Sequence, residues 1–185
     1  MKATRSFFVL AAAAVMAFTS LSTAPAGAAE KTFKQYGEIV DFAFVQPYAA
    51  IPARKDVLII DARPTARKFD KGHIPVAASI PDRKFDKMTN LLPQDKGTLL
   101  IFYCGGLKCA LSHKSAFKAE KLGYTNVKVY AAGYPDWVKN GGLVGVSAAY
   151  VKKLIDKKAN AVIIDSRPKK RKYDKGHVPT SISIA

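Results

Sequence analysis

Two cysteines, Cys104 and Cys109, fall within the stretch TLLIFYCGGLKCALSHKSAFK, Thr98–Lys118, and they are the only cysteines of the 185-residue chain. Gly105 and Gly106 directly follow the first of them. Paired glycines let a backbone curl so that successive N–H groups point inward as an anion-binding nest. A helical pattern runs on from there to Leu122, and its N-terminus adds the positive end of a dipole. A thiol at the mouth of such a cup ionises more readily than a free cysteine, whose pKa is about 8.5. The expected chemistry is therefore nucleophilic attack by a Cys104 thiolate. Cys109 carries two readings, a resolving thiol for Cys104 or a small residue that packs the loop. A Cys104–Cys109 bridge would act as a redox state of the site, since so short a ring constrains the unfolded chain weakly. Two cysteines with no second pair make no zinc signature, so no metal is expected.

The elements that must position this site alternate between strands and helices. Leu99–Tyr103 (LLIFY) and Val57–Asp61 (VLIID) are apolar runs of strand length. Shorter strands are expected at Val76–Ile80 and Asn126–Ala131. Helical stretches are expected at about Pro64–Phe69, after Cys104 as far as Leu122, and at Tyr134–Asn140 with Trp137 in the core. Pro47 and Pro52 limit residues 30–55 to short pieces. This order predicts an α/β fold with a central parallel β-sheet flanked by helices. Sites in such sheets form at the carboxyl ends of strands, and Cys104 stands at one. Asp61 and Arg63, at the end of another, are read as an ion pair scaffolding the site.

The chain then begins again. Asn160–Ile184 matches Asp56–Ile80 at a constant offset of 104, with 14 of 25 aligned pairs identical, Asp61/Asp165, Arg63/Arg167 and His73/His177 among them. Repetition this strong reads as duplicated domains. A full domain is expected over 30–143, and the start of a second copy over 146–185, opening with a helix at Val146–Lys158. The second copy carries no cysteine. His73, which recurs there as His177, is read as a structural turn residue.

Residues 1–29 have the pattern of a signal peptide: basic Lys2 and Arg5, apolar Phe7–Phe18, then the small residues Ala26–Ala29. The apolar run is shorter than the roughly 20 residues a membrane span needs. The protein is thus expected to be exported, periplasmic if bacterial and otherwise secreted, with no membrane attachment once the peptide is cleaved. Cleavage lowers the formal charge from +16 to +14. Export disfavours nucleic acid as the partner of this basic chain. The dispersed lysines read as a solvated surface that also draws small anions. Lys114, Lys118 and Lys121 share a helical face and are read as mostly solvated, with Lys114 near the loop.

The block IID-x-R-P…F-D-K-G-H-I-P, the strand running into Cys104 with a helix behind it, and the segment A-G-Y-P-D-W resemble the rhodanese-like (sulfurtransferase) family over about 40–140. The resemblance implies that Cys104 takes a sulfane sulfur from an anionic donor, thiosulfate or polysulfide, as a persulfide. It passes that sulfur to cyanide or a thiol, a protein thiol included, without a cofactor. Gly105, Gly106, Leu107, Lys108 and Cys109 would form the substrate-binding loop, their amides the cradle. The loop departs from the family pattern: aligning Ser112 with the family's serine makes it about two residues longer. Leu111 then falls where an arginine often sits. Lys108, His113 and Lys114 are the nearest replacements for that charge, His113 and Lys114 as anion contacts. Enlarged loops also occur in phosphatases and arsenate reductases of the family, whose phosphate-binding arginine this chain lacks. Two alternatives stand beside the transferase: a non-catalytic carrier of sulfane sulfur, and a Cys104/Cys109 thiol–disulfide redox module.

Overall fold

The apolar run Leu99–Tyr103 forms the central strand of the protein, and all five of its residues are buried. The computed structural model describes residues 33–184; the proposed signal peptide lies outside them. Four strands, β1 (Val57–Asp61), β2 (Ala78–Ser79), β3 (Leu99–Tyr103) and β4 (Val127–Tyr130), make a parallel sheet in the order β2-β1-β3-β4. β1 and β3 pair along their whole length, from Val57 against Leu99 to Asp61 against Tyr103. That register brings Asp61 level with the residue before Cys104.

Successive side chains on β3 point to opposite faces, so the strand feeds two cores. Leu100 and Phe102 pack with Ala116 and Ala119 of α2 (Leu111–Lys121). Leu99, Ile101 and Tyr103 pack on the other face with Val45 of α1 (Phe42–Val45) and Trp137 of α3 (Gly133–Lys139). Each large side chain buried this way contributes about 1.5–3 kcal/mol. The expected α/β architecture, a central parallel sheet flanked by helices, is the one observed. Trp137 is a core residue whose Nε1 donates to the Leu143 carbonyl at 2.7 Å.

Two elements differ from expectation. The strand expected over Val76–Ile80 shrinks to Ala78–Ser79, because Val76 sits in a left-handed turn at φ 60° that an extended strand cannot contain. The helix expected over Pro64–Phe69 is a chain of turns ending in a 3-10 turn at Phe69–Lys71. The segment wraps instead around Arg63, whose Nη2 donates to the Gly72 carbonyl at 2.7 Å.

The repeated segment builds a small second sheet. After α4 (Ala148–Asp156), strands β5 (Ile164–Asp165) and β6 (Ile182–Ser183) pair in parallel, with Ile164 opposite Ile182. Ile60 faces Ala78 in the same way 104 residues earlier. The local hydrogen bonds recur too: Arg167 reaches Asp165 and the Gly176 carbonyl as Arg63 reaches Asp61 and Gly72. His73 stacks on Phe69 and His177 on Tyr173. Burial does not recur. Ile60 is 0% exposed and Ile164 57%: Ile60 packs in a cluster with Phe102 of β3 and Ala116 and Ala119 of α2, whereas β5 pairs with β6 alone among the described residues.

Candidate active site

β3 delivers Cys104 to its carboxyl end, and the chain then turns through Gly105–Ala110 into α2. Two glycines make the turn feasible. Gly106 takes φ 110°, and Gly133, at φ 63°, lies so close to the Cys104 carbonyl that a Cβ there would meet the oxygen at 2.4 Å. The approach lets the Tyr134 N–H donate to that carbonyl at 3.0 Å. Gly133, just after the neighbouring strand β4, thus fixes the backbone of Cys104, a role that no sequence spacing announced.

The Cys104 sulfur is fully buried rather than open at the loop mouth. It accepts the Ser112 hydroxyl proton at 3.1 Å, and its Sγ donates to the Cys109 carbonyl oxygen 3.0 Å away. Both thiols are free. The expectation that Cys104 is the readily ionised thiol is corrected here. Its S–H, donated to Cys109, and its burial push it well above the ordinary thiol range, against the help of Ser112. Cys109 moves the opposite way: the bond from Cys104, the amides of Gly105 and Leu111, and the charge of Arg63 lower it in spite of partial burial. The two thiols are thus shifted in opposite directions, and the amides of Gly105 and Leu111 favour a thiolate on Cys109.

The loop itself is only partly a cradle. The Cys109 N–H, one of the amides expected to point inward, donates instead to the Gly106 carbonyl at 2.8 Å. Leu107 is exposed.

Asp61 and Arg63 are where the site needs a scaffold. Both are buried, and Arg63 Nη2 lies 2.5 Å from Asp61 Oδ2. The guanidinium also stands 4.2 Å from the ring centre of Tyr134. Tyr134 then joins Arg63, Arg67, Lys68, Lys71 and Gly105 around a cleft of about 340 Å³ whose lining contains no carboxylate. This cationic cleft beside the loop was not anticipated residue by residue. Its signal was present in ARPTARKFDK, where Arg63, Arg67, Lys68 and Lys71 follow the end of β1.

Two of the expected anion contacts fall elsewhere. His113 is buried with its Nδ1 accepting the Tyr36 N–H at 3.0 Å and its ring against Phe33. Burial also lowers its pKa, so it ties the entry segment to α2 as a neutral ring and is no anion contact. Lys114 is exposed on α2 and does not line the cleft. Lys118, expected to be solvated, bridges Asp82 at 3.1 Å and donates to its carbonyl at 2.7 Å. Among the described residues no cluster of His, Cys, Asp and Glu suits a metal ion, and no helix is long and apolar enough to cross a membrane.

Comparison with known proteins gives this geometry a context. Residues 45–140 match the family model of the rhodanese-like domain. The chain is 28% identical over 104 residues to the rhodanese domain-containing protein CG4456 of Drosophila melanogaster, covering 50% of this chain and 92% of that one. It is 30% identical over 95 residues to the thiosulfate sulfurtransferase/rhodanese-like domain-containing protein 3 of Mus musculus, covering 45% of this chain and 59% of the other. The solved structure of the BH2092 protein from Bacillus halodurans is similar at TM-score 0.50 and 30% identity, over 59% of this chain and 77% of that one.

Proposed function

The chain belongs to the rhodanese-like domain family, and from that premise we propose that it is a sulfurtransferase working through a persulfide on Cys104. The observation that carries the reading is the placement of Cys104. It follows the central strand, receives the Ser112 hydroxyl on its sulfur, and donates its own proton to the Cys109 carbonyl beside a second free thiol. Transfer of that proton to Cys109 puts the charge on Cys104 without any group leaving the site. The Cys104 thiolate attacks the sulfane sulfur of an anionic donor such as thiosulfate, and sulfite leaves. Cyanide or a thiol, carried by a small molecule or a protein, then takes the outer sulfur and restores the thiolate.

The cationic cleft supports an anionic donor. Arg63, Arg67, Lys68 and Lys71 surround it, and Gly105 joins it to the loop. Fixed positive charge beside a buried nucleophile raises the local concentration of small anions. The sequence pattern of residues 1–29 supports export, to the periplasm in a bacterium. The pair of free thiols also favours a second reading, a thiol–disulfide redox module.

The test is thiocyanate formation from thiosulfate and cyanide by the full chain and its Cys104→Ala variant. Turnover by the wild type that falls to background in the variant is the expected result. A Cys104→Ala protein that still turns over at the wild-type rate overturns the assignment. A wild type that forms no thiocyanate, yet exchanges readily with an external dithiol, moves the function to the redox reading.

A further inference from the structure

Sulfur transfer needs one thiol, and this site holds two free ones, with the Cys104 sulfur 3.0 Å from the carbonyl oxygen of Cys109 itself. The Cys109 sulfur is not a bystander packed beneath the loop. The Cys104 S–H donates to the backbone carbonyl of the same residue, which places the two side chains on one short turn, and the Gly105 and Leu111 amides and the Arg63 charge favour the Cys109 thiolate. The Cβ that Gly105 lacks would stand only 3.9 Å from it, so the loop closes directly over the pair. A second nucleophile is thus held beside the very atom that would carry a persulfide.

Resting on the sulfurtransferase reading, we propose that Cys109 breaks down the Cys104 persulfide, forming a Cys104–Cys109 disulfide and releasing the transferred sulfur as hydrosulfide. The bonds and charges balance. Uptake forms the bond from Cys104 Sγ to the sulfane sulfur and breaks the sulfur–sulfur bond of thiosulfate, releasing sulfite. The Cys109 thiolate then forms a bond to Cys104 Sγ as the bond from Sγ to the outer sulfur breaks. The electron pair of that bond leaves with the outer sulfur, which keeps the proton once borne by the thiol pair. Over both steps the two cysteines are oxidised to the disulfide and the sulfane sulfur is reduced to sulfide. An external dithiol returns the pair to its reduced state.

Chemistry favours attack at the inner sulfur. Attack at the outer one merely moves the persulfide from Cys104 to Cys109 and leads nowhere. Attack at Sγ expels hydrosulfide, a weaker base than an alkyl thiolate and so a better leaving group. The nucleophile is already in place, which removes the entropic cost an external thiol would meet. As Cys109 turns from the nest to bond Cys104, the Gly105 and Leu111 amides are freed to face the departing anion. A site with Cys104 alone would instead hold its persulfide until an acceptor arrived.

The experiment is a single turnover. Fully reduced protein, freed of small thiols, is mixed with one equivalent of thiosulfate and no acceptor; sulfite, sulfide and intact mass are then followed. Wild type is expected to release one sulfite and one sulfide per chain and to end two hydrogens lighter. Cys109→Ser and Cys109→Ala are expected to release sulfite, gain one sulfur and yield only background sulfide. That gain also shows that the variants are folded and competent. A wild type that keeps its added sulfur as long as the variants do overturns the inference and leaves the transferase standing. Sulfite release and sulfur gain missing from all three proteins would overturn the transferase reading itself. Sulfide release by wild type, with no sulfur gain in either variant, would make Cys109 the first acceptor and overturn the order of steps.

Discussion

Arg63 holds Asp61 through Nη2 at 2.5 Å with both side chains buried, and 104 residues later a half-exposed Arg167 holds Asp165 at the same distance. The sequence around the two pairs is nearly the same, so their difference isolates burial. Removing Arg63 leaves a carboxylate with no water and no counter-charge, a loss of about 3–5 kcal/mol. The second pair loses little, because water already reaches the half-exposed Arg167 and takes its place. Arg63→Met is expected to lower the urea midpoint of the folded chain sharply. Arg167→Met is expected to leave it unchanged. Urea titrations of the two variants check this, and equal midpoints would refute it.

The opposite shifts of the two thiols predict how they react with iodoacetamide. One proton leaves the pair below the ordinary thiol range, because the bond from Cys104 and the amides of Gly105 and Leu111 favour a thiolate on Cys109. A lowered pKa keeps thiolate present at lower pH. Alkylation should therefore already be fast near neutrality, and mapping of the labelled peptide should put the first label on Cys109. In Cys109→Ser the interaction that most raises Cys104 is removed while the Ser112 hydroxyl stays, so the surviving thiol should react at lower pH than Cys104 does in the wild type. A Cys104 labelled first at neutral pH in the wild type would contradict the placement of the charge.

The cleft predicts a dependence on salt and charge. Lys68 and Lys71 line it without contributing to the buried core, so reversing them leaves the fold intact. Surface charges act over about 8–10 Å at moderate ionic strength. Lys68→Glu/Lys71→Glu is expected to raise the KM for thiosulfate about 10-fold, with kcat nearly unchanged. The rise of KM with added salt should also flatten in the double variant. Steady-state kinetics across an ionic-strength series measure both, and an unaltered KM would remove the cleft from the donor's path.

What the sequence disclosed, and what it withheld, follows from the range of the interactions. LLIFY is legible as the central strand because five contiguous apolar residues report burial directly. The Asp61/Arg63 pair is legible because opposite charges two residues apart stand where an apolar strand ends beside the expected site. Which sulfur fills the nest is not, since the spacing of Cys104 and Cys109 fixes their proximity but not the direction of either side chain. Val76 breaks its strand through one positive φ, which a β-branched residue gives no reason to expect. His113 was misread beside the glycine-rich loop, although it has Ala116 and Phe117 at i+3 and i+4. That spacing belongs to the inner face of a helix.

The buried ring of His113 makes a stability prediction with a definite sign. Burial lowers its pKa in the folded chain, whereas the unfolded chain protonates it near about 6.5. As pH falls below that value, the unfolded state takes up the proton first. The contribution of the neutral ring is therefore complete above the unfolded pKa and is lost as pH falls toward the folded one. Protonation of Nδ1 would also cancel its acceptance of the Tyr36 N–H, which detaches the entry segment from α2. His113→Asn offers a side-chain oxygen in place of Nδ1 but no titrating group. The variant is expected to be less stable at pH 7.5, for want of the ring's contact with Phe33. Between pH 7 and 5 its stability should fall less steeply than the wild type's, by at most about 1.4 kcal/mol per pH unit. Urea midpoints taken across that range read the difference directly, and parallel curves for the two proteins would show that His113 does not titrate on unfolding.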